Sequence, residues 1–250
     1  MPMDFRRQQT AKDRLALDWH FPVYAPDLVE QPADDGKTNS GRASVALPRE
    51  KALLEIKGKD HRPLLVVREC GFCKGTDDAL LSRRLNNEKT LLLTKWFHCV
   101  KLPNHVLTAE HPFRNLFAAE HPPHLFLCRH DGSEVMNLDG QQTQAQLWAA
   151  MEELLAREYE GDAKQAVRGI LRCLNEYDTL DSLEAEFRVR LEETLDKDGA
   201  KSPKVRALQR KIDAIAKDRA DVEAREHELL DLRLRPLKAA DDQAVGVRGG

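Results

Sequence analysis

Cys70-Gly71-Phe72-Cys73 constrains this chain more than any other four residues. The motif follows the apolar run Pro63-Leu64-Leu65-Val66-Val67 and precedes a helical pattern from Thr76 to Leu85. Strand, CxxC, helix is the context in which two cysteines read as redox chemistry. A helix N-terminus offers unpaired N–H groups and the positive end of its dipole, and both stabilise a thiolate. Cys70 is therefore expected to attack, and the two-residue gap lets Cys73 close a disulfide behind it. Lys74 works to lower the Cys70 pKa, and Glu69 works to raise it. Two other readings stay open: a motif that has lost its chemistry, and half of a zinc site. The sequence supplies no second CxxC or nearby HxxxH to complete four zinc ligands.

The elements around the motif follow from periodicity and turn residues. Positions 1–47 read as an irregular N-terminal arm and linker, broken by Pro22, Pro26 and Pro32. A short helix is expected after Pro48, with Leu53, Leu54 and Ile56 on one side and Gly58 as its stop. A strand over 63–68, the CxxC turn and a helix near 76–86 come next. A second strand is expected from Leu91 to Leu102, then a loop over Pro103 to Ala119 with a short helix near Phe113 to Ala118. Pro122-Pro123 leads into a third strand at Leu125 to Cys128. His130-Asp131-Gly132-Ser133 signals a hairpin turn, with Glu134 to Leu138 as the returning strand. From Thr143 the pattern is helical, with Leu147, Trp148, Met151, Leu154 and Leu155 on one face.

The order is β, α, β, a helical connection, a β-hairpin, then α. Over residues 48–158 it resembles the thioredoxin fold. The resemblance rests on Cys70-Gly71-Phe72-Cys73 followed by Lys74, on Pro123 opening a strand about fifty residues later, and on the spacing from Pro123 to Asp131-Gly132. It implies an α/β body with a central mixed sheet flanked by helices, and a cis peptide before Pro123. It implies dithiol–disulfide exchange with Cys70 as nucleophile and Cys73 as resolving thiol. It implies a substrate groove lined or tuned by Glu69, Gly71, Phe72, Lys74, Pro122 and Pro123. Glu69 stands where thioredoxins usually carry tryptophan, and Phe72 where the motif usually has proline. Pro122 has no N–H to offer a bound peptide.

Residues 163–235 are expected to form a separate α-helical hairpin or coiled coil, with 236–250 as a tail. Apolar residues recur at spacings of three and four through Leu183, Phe187, Leu191 and Leu195, and again through Leu208, Ile212 and Ile215. Gly199 to Pro203 breaks the first arm and folds the chain back. The first arm is acid-rich, while the second begins with Lys204, Arg206, Arg210 and Lys211.

The rest of the sequence narrows the function classes. Of 250 residues 32% are charged, yet the net charge is only −3, so no bulk field draws nucleic acid or anionic lipid. No run reaches membrane-spanning length and Met1 to Thr10 has no apolar leader, so a cytoplasmic location is expected. Five cysteines with one close pair do not make a secreted disulfide framework. Cys99, Cys128 and Cys173 are expected as buried thiols. Six of the nine histidines fall between His98 and His130. They are expected in solvated loops, with His121 or His124 placed to tune a thiolate beside Pro123. No metal and no cofactor are expected. The expected partners are a protein disulfide or dithiol and, through 163–235, a second copy or a partner helix. The alternative function is a non-catalytic scaffold or redox sensor that binds through its coiled coil.

Overall fold

A computed structural model describes residues 11–18, 46–69, 87–119, 122–138 and 142–236. They form two compact units. One comprises described residues of 17–160 with 234–236, and the other those of 11–16 with 161–233.

The first unit is built on a four-stranded mixed sheet. Helix α1 (Arg49–Lys57) starts after Pro48 and stops at Gly58, whose φ of 56° is open to glycine and whose N–H donates to the Leu54 carbonyl. Ala52, Leu53 and Ile56 are buried, whereas Leu54 is 45% exposed, which corrects the expected face. Neighbouring residues on a helix diverge by about 100°, so Leu53 and Ile56 share a face that Leu54 leaves.

Strands β1 (Leu64–Arg68), β2 (His98–Leu102), β3 (Leu125–Cys128) and β4 (Met136–Leu138) lie in the order β2-β1-β3-β4. β1 and β2 are parallel; β3 is antiparallel to β1 and to β4. A parallel pair needs a crossover of a dozen or more residues. Its described part contains α2 (Glu88–Leu93) and a 3₁₀ turn at Thr94–Trp96. The helix expected near 76–86 lies outside the described residues. The strand expected from Leu91 begins only at His98, because Leu91-Leu92-Leu93 continue α2. A short apolar run does not separate strand from helix, and leucine is a strong helix former.

Register fixes what each sheet face carries. Val66 sits between Val100 and Phe126, and Leu64 between His98 and Cys128. Leu64, Val66, Val100, Phe126 and Cys128 join Ala52, Leu53 and Ile56 of α1 and the aromatics Phe113 and Phe117 in one buried cluster. Leu65, Val67, Leu125 and Leu127 point the opposite way and are equally buried, so both faces of the sheet are covered. Helix α3 (Gln144–Glu158) packs against β3 with Leu147, Met151, Leu154 and Leu155 buried. Thr143 and Gln146 close a reciprocal capping box at its start. Trp148 is only half-buried, and its indole N–H donates to Thr90 Oγ1 of α2 at 2.8 Å.

The hairpin between β3 and β4 turns where expected. Gly132 has a φ of 81°, and a Cβ there would meet Leu53 Cδ1 at 2.3 Å, so the site excludes side chains twice over. β4 begins at Met136 rather than Glu134, which itself has a φ of 51°.

The second unit is an antiparallel helical hairpin. α4 (Ala163–Asp198) is capped by Asp162, and α5 (Pro203–Leu230) by Ser202 with Pro203 in its first turn. The least exposed residues of α5 are Val205, Leu208, Ile212, Ile215, Arg219, Val222, Glu226 and Leu229. Their spacing alternates strictly between three and four, the signature of a coiled-coil seam. On α4 the matching positions include Tyr177, Leu180, Glu184, Phe187, Leu191 and Thr194. The expected stripe is therefore corrected at two places: Leu183 is 38% and Leu195 37% exposed, and Glu184 and Thr194 occupy the seam instead. The polar seam residues are matched across the arms. Arg219 donates to Asp181 at 2.6 Å and to Glu184 at 3.1 Å, and Tyr177 Oη donates to Glu226 at 2.9 Å.

The N-terminal arm is also revised. Ala11–Arg14 is a 3₁₀ helix, and the Ala11 N–H donates to Asp178 Oδ1 of α4 at 2.6 Å, so 11–16 belong to the helical unit. At the other end, Leu234 forms a bridge with Tyr159, and the Arg235 N–H donates to the Glu158 carbonyl. Those two residues belong to the sheet unit rather than to the hairpin. Among the described residues no helix is long and apolar enough to cross a membrane.

Candidate functional site at the carboxyl end of β1

Cys70, Gly71, Phe72, Cys73 and Lys74 lie outside the described residues, as does His121. Two backbone hydrogen bonds hold the residues just before Cys70. The Arg68 N–H donates to the His124 carbonyl at 2.8 Å, and the Glu69 N–H to the Leu102 carbonyl at 2.9 Å. The chain therefore enters the motif held on one side by the segment before β3 and on the other by the end of β2. In open α/β sheets ligands bind at the carboxyl ends of strands, and both parallel strands end here.

Strand alternation separates the two charges that precede the motif. Glu69 pairs with Lys101, with 2.8 Å between Oε1 and Nζ, and both groups remain partly solvated. The ammonium offsets the carboxylate charge that was expected to oppose thiolate formation at Cys70. Arg68 turns to the opposite face. Its Nη2 lies 3.4 Å from His124 Nδ1 and 3.5 Å from the Pro122 carbonyl oxygen. A guanidinium only donates, so the Pro122 carbonyl oxygen is the acceptor in that contact. The Arg68 Nε is enclosed and has no hydrogen-bond partner.

Pro122 is half-buried and Pro123 buried immediately before β3. No peptide bond among the described residues is cis, so the Pro122–Pro123 bond is trans. This corrects the cis geometry that the family resemblance implies. The trans form is the lower-energy isomer of an X–Pro bond unless packing selects the other.

The remaining cysteines are poor nucleophiles. Burial pushes the Cys99 and Cys128 thiols up to about 12, and Cys173 is also raised by burial. Three of the histidines expected in solvated loops are instead buried: His98, His111 and His130. His98 belongs to a network at the opposite end of the sheet. Its Nδ1 lies 2.9 Å from Asp60 Oδ2 and its Nε2 2.9 Å from the Ile56 carbonyl oxygen at the end of α1. Arg62 donates to both Asp60 oxygens. Burial works to raise the Asp60 pKa, but these bonds and the Arg62 charge outweigh it and hold the carboxyl well below the usual range. This network ties α1 to the start of β2. Among the described residues no three His, Cys, Asp or Glu side chains converge on a metal-sized site.

Sequence reading missed Arg68 and Lys101 because their roles depend on strand register. His124 carried a signal, its position beside Pro123, and the geometry gives it a partner in Arg68. Protein-family models, curated proteins and solved structures compared with the chain yield no match.

Proposed function

We propose that the chain is a thioredoxin-like thiol–disulfide oxidoreductase that exchanges its Cys70/Cys73 pair with a protein partner. The observation that carries the reading is the placement of β1. It is central and buried on both faces, is parallel to β2, and ends at Arg68, two residues before Cys70. The β2-β1-β3-β4 order, with its crossover on one side and its hairpin on the other, also supports a thioredoxin-like body. The Glu69–Lys101 pair and the Arg68 cation give the approach to Cys70 a local positive balance, which favours a thiolate.

In the forward step the Cys70 thiolate attacks one sulfur of the partner's disulfide. A Cys70–partner disulfide forms and the partner's other sulfur leaves as a thiolate. The Cys73 thiolate then attacks Cys70, closes the intramolecular disulfide and releases the partner's second thiolate. Two electrons pass from the dithiol to the partner. The test is reduction of a protein disulfide by wild type and by Cys70→Ser, with Cys73→Ser used to trap the mixed disulfide. Turnover that survives Cys70→Ser would end the proposal.

A second reading is favoured by the strict heptad seam of α5. In it the sheet unit is a scaffold or redox sensor, and the hairpin binds a partner helix or a second copy. Exchange abolished in Cys70→Ser but present in wild type separates the two.

A further inference from the structure

One flank of the helical hairpin is complementary to itself. Along α4, Leu180, Leu183, Phe187, Arg190 and Lys197 follow at spacings of three, four and seven, which keeps them in one row. Along α5, Lys204, Lys211, Ala214, Asp218 and Arg225 do the same. Two contacts put both rows on the same side. Lys211 Nζ lies 5.0 Å from the centroid of the Phe187 ring. Farther from the turn, Leu180 and Val222 floor a groove of about 380 Å³ between the arms, rimmed by Glu176, Asp218, Asp221 and Arg225. Leu183 is 38% exposed on this flank. The 3₁₀ helix at Ala11–Arg14 sits elsewhere: its Ala11 N–H donates to Asp178, about 160° around α4 from Glu176.

Charge divides the flank in two. Toward the turn it carries Arg190, Lys197, Lys204 and Lys211, of which Arg190 is paired with Glu186 and Lys204 with Asp198. Away from the turn carboxylates prevail, because Glu176, Asp218 and Asp221 accompany a single cation, Arg225, itself paired with Glu176. A second copy turned end for end brings the two halves together twice. A two-fold axis lying across the arms at the level of Phe187 and Ala214 puts Lys211 of each copy over Asp218 of the other, and Lys197 over Glu176. Ala214, at the axis, is small enough for the α5 arms to approach closely. From Glu176 to Lys197 the flank runs about 32 Å along the arms and is two helices, about 20 Å, wide. Roughly 600 Å² from each copy, about 1,200 Å² in all, reaches the range of specific interfaces. We propose that this flank is the docking surface for a second copy of the chain, giving a two-fold dimer in which the hairpins stack antiparallel. The inference selects a second copy over a partner helix and does not depend on exchange at Cys70.

The experiment is sedimentation equilibrium of the full chain from micromolar to sub-millimolar concentration. Wild type is expected to move reversibly between a monomer of 28.4 kDa and twice that mass, and to shift toward monomer as salt rises. Lys211→Glu and Asp218→Lys should each weaken the dimer by at least about tenfold, because each turns two attractions into two repulsions. Mixed in equal amounts, the two variants should associate as well as wild type does, since each reversed charge then meets its opposite across the interface. A structural fault in either variant would not be repaired by mixing. A wild type that stays monomeric throughout overturns the inference. So does a dimer indifferent to both substitutions, which would use another surface, and so do species larger than a dimer, which would mean head-to-tail assembly. If the variants lose the wild-type circular dichroism spectrum, the salt series decides: a wild-type dimer that weakens with salt supports the charged interface, and one that does not overturns it. Loss of exchange activity bears on the Cys70 reading alone.

Discussion

The two units bury their apolar residues by different means. In the sheet unit, Leu64, Leu65, Val66 and Val67 are consecutive and all essentially inaccessible, because helices and turns cover both faces of β1. In the helical unit the described residues place only the short 3₁₀ helix at Ala11–Arg14 against the two arms. Ile215 and Val222 are buried, but Phe187, Leu191, Leu208 and Ile212 stay half-buried in a seam two helices wide. The sheet unit therefore rests on dense packing, where one lost methylene is felt. The hairpin rests on a long series of small contacts and on matched polar pairs that fix its register.

The contrast is broken most severely by charge in the seam. Leu191→Asp with Ile212→Asp should unfold the α4–α5 arms and remove most of the helical circular dichroism, while the sheet unit keeps its own unfolding transition. A single cooperative loss of both units would contradict separate cores. Next in size is Phe126→Ala. Phe126 is fully buried with its ring 5.6 Å from that of Phe117, and its truncation should cost about 3–5 kcal/mol in denaturant unfolding of the sheet unit alone.

Acid sharpens the comparison further. The folded Asp60 carboxyl titrates below its unfolded value of about 3.9. Its contribution is complete above that value and is lost as pH falls from there through the depressed folded pKa. Asp60→Asn should lower stability at neutral pH by roughly 1–3 kcal/mol and flatten the acid limb of the sheet unit's stability curve. An unchanged acid limb would remove Asp60 from that role. The smallest effect belongs to the seam's ion pair. Replacing Glu184 by Leu and Arg219 by Met together should change hairpin stability by no more than about 1 kcal/mol, in either direction, because both groups are partly solvated. A loss several times larger would mean that the pair supports the hairpin rather than merely setting its register.

Much of this architecture was legible in the residues. Pro48 and Gly58 bracket α1, Gly132 marks the hairpin turn, and Gly199 with Pro203 marks the fold-back, because each position demands a backbone that few residues supply. What escaped was set by partners distant in sequence. Leu91 to Leu93 read equally well as strand or helix. Leu183 and Leu195 look like seam residues until the alternation of three and four places Glu184 and Thr194 there instead. At the candidate site, the CxxC motif and the prolines were visible as letters. The Glu69–Lys101 pairing and the Arg68 contacts depend on the register of β1 with β2 and on the close approach of Pro122 and His124.

The ends of the hairpin have a consequence for engineering. In the helical unit the Gly161 N–H meets the Leu232 carbonyl at 3.0 Å, so the first and last residues of a seventy-odd-residue excursion lie side by side. In the sheet unit Tyr159 and Leu234 are bridged in the same way. Between Glu160 and Leu234 the chain leaves and returns at one doorway, while residues 11–16 belong to the helical unit through a separate crossing at 16–17. A few glycines and serines from Glu160 to Leu234 would reseal that doorway, making the hairpin a cassette that can be lifted out, exchanged or grafted elsewhere without re-threading the sheet.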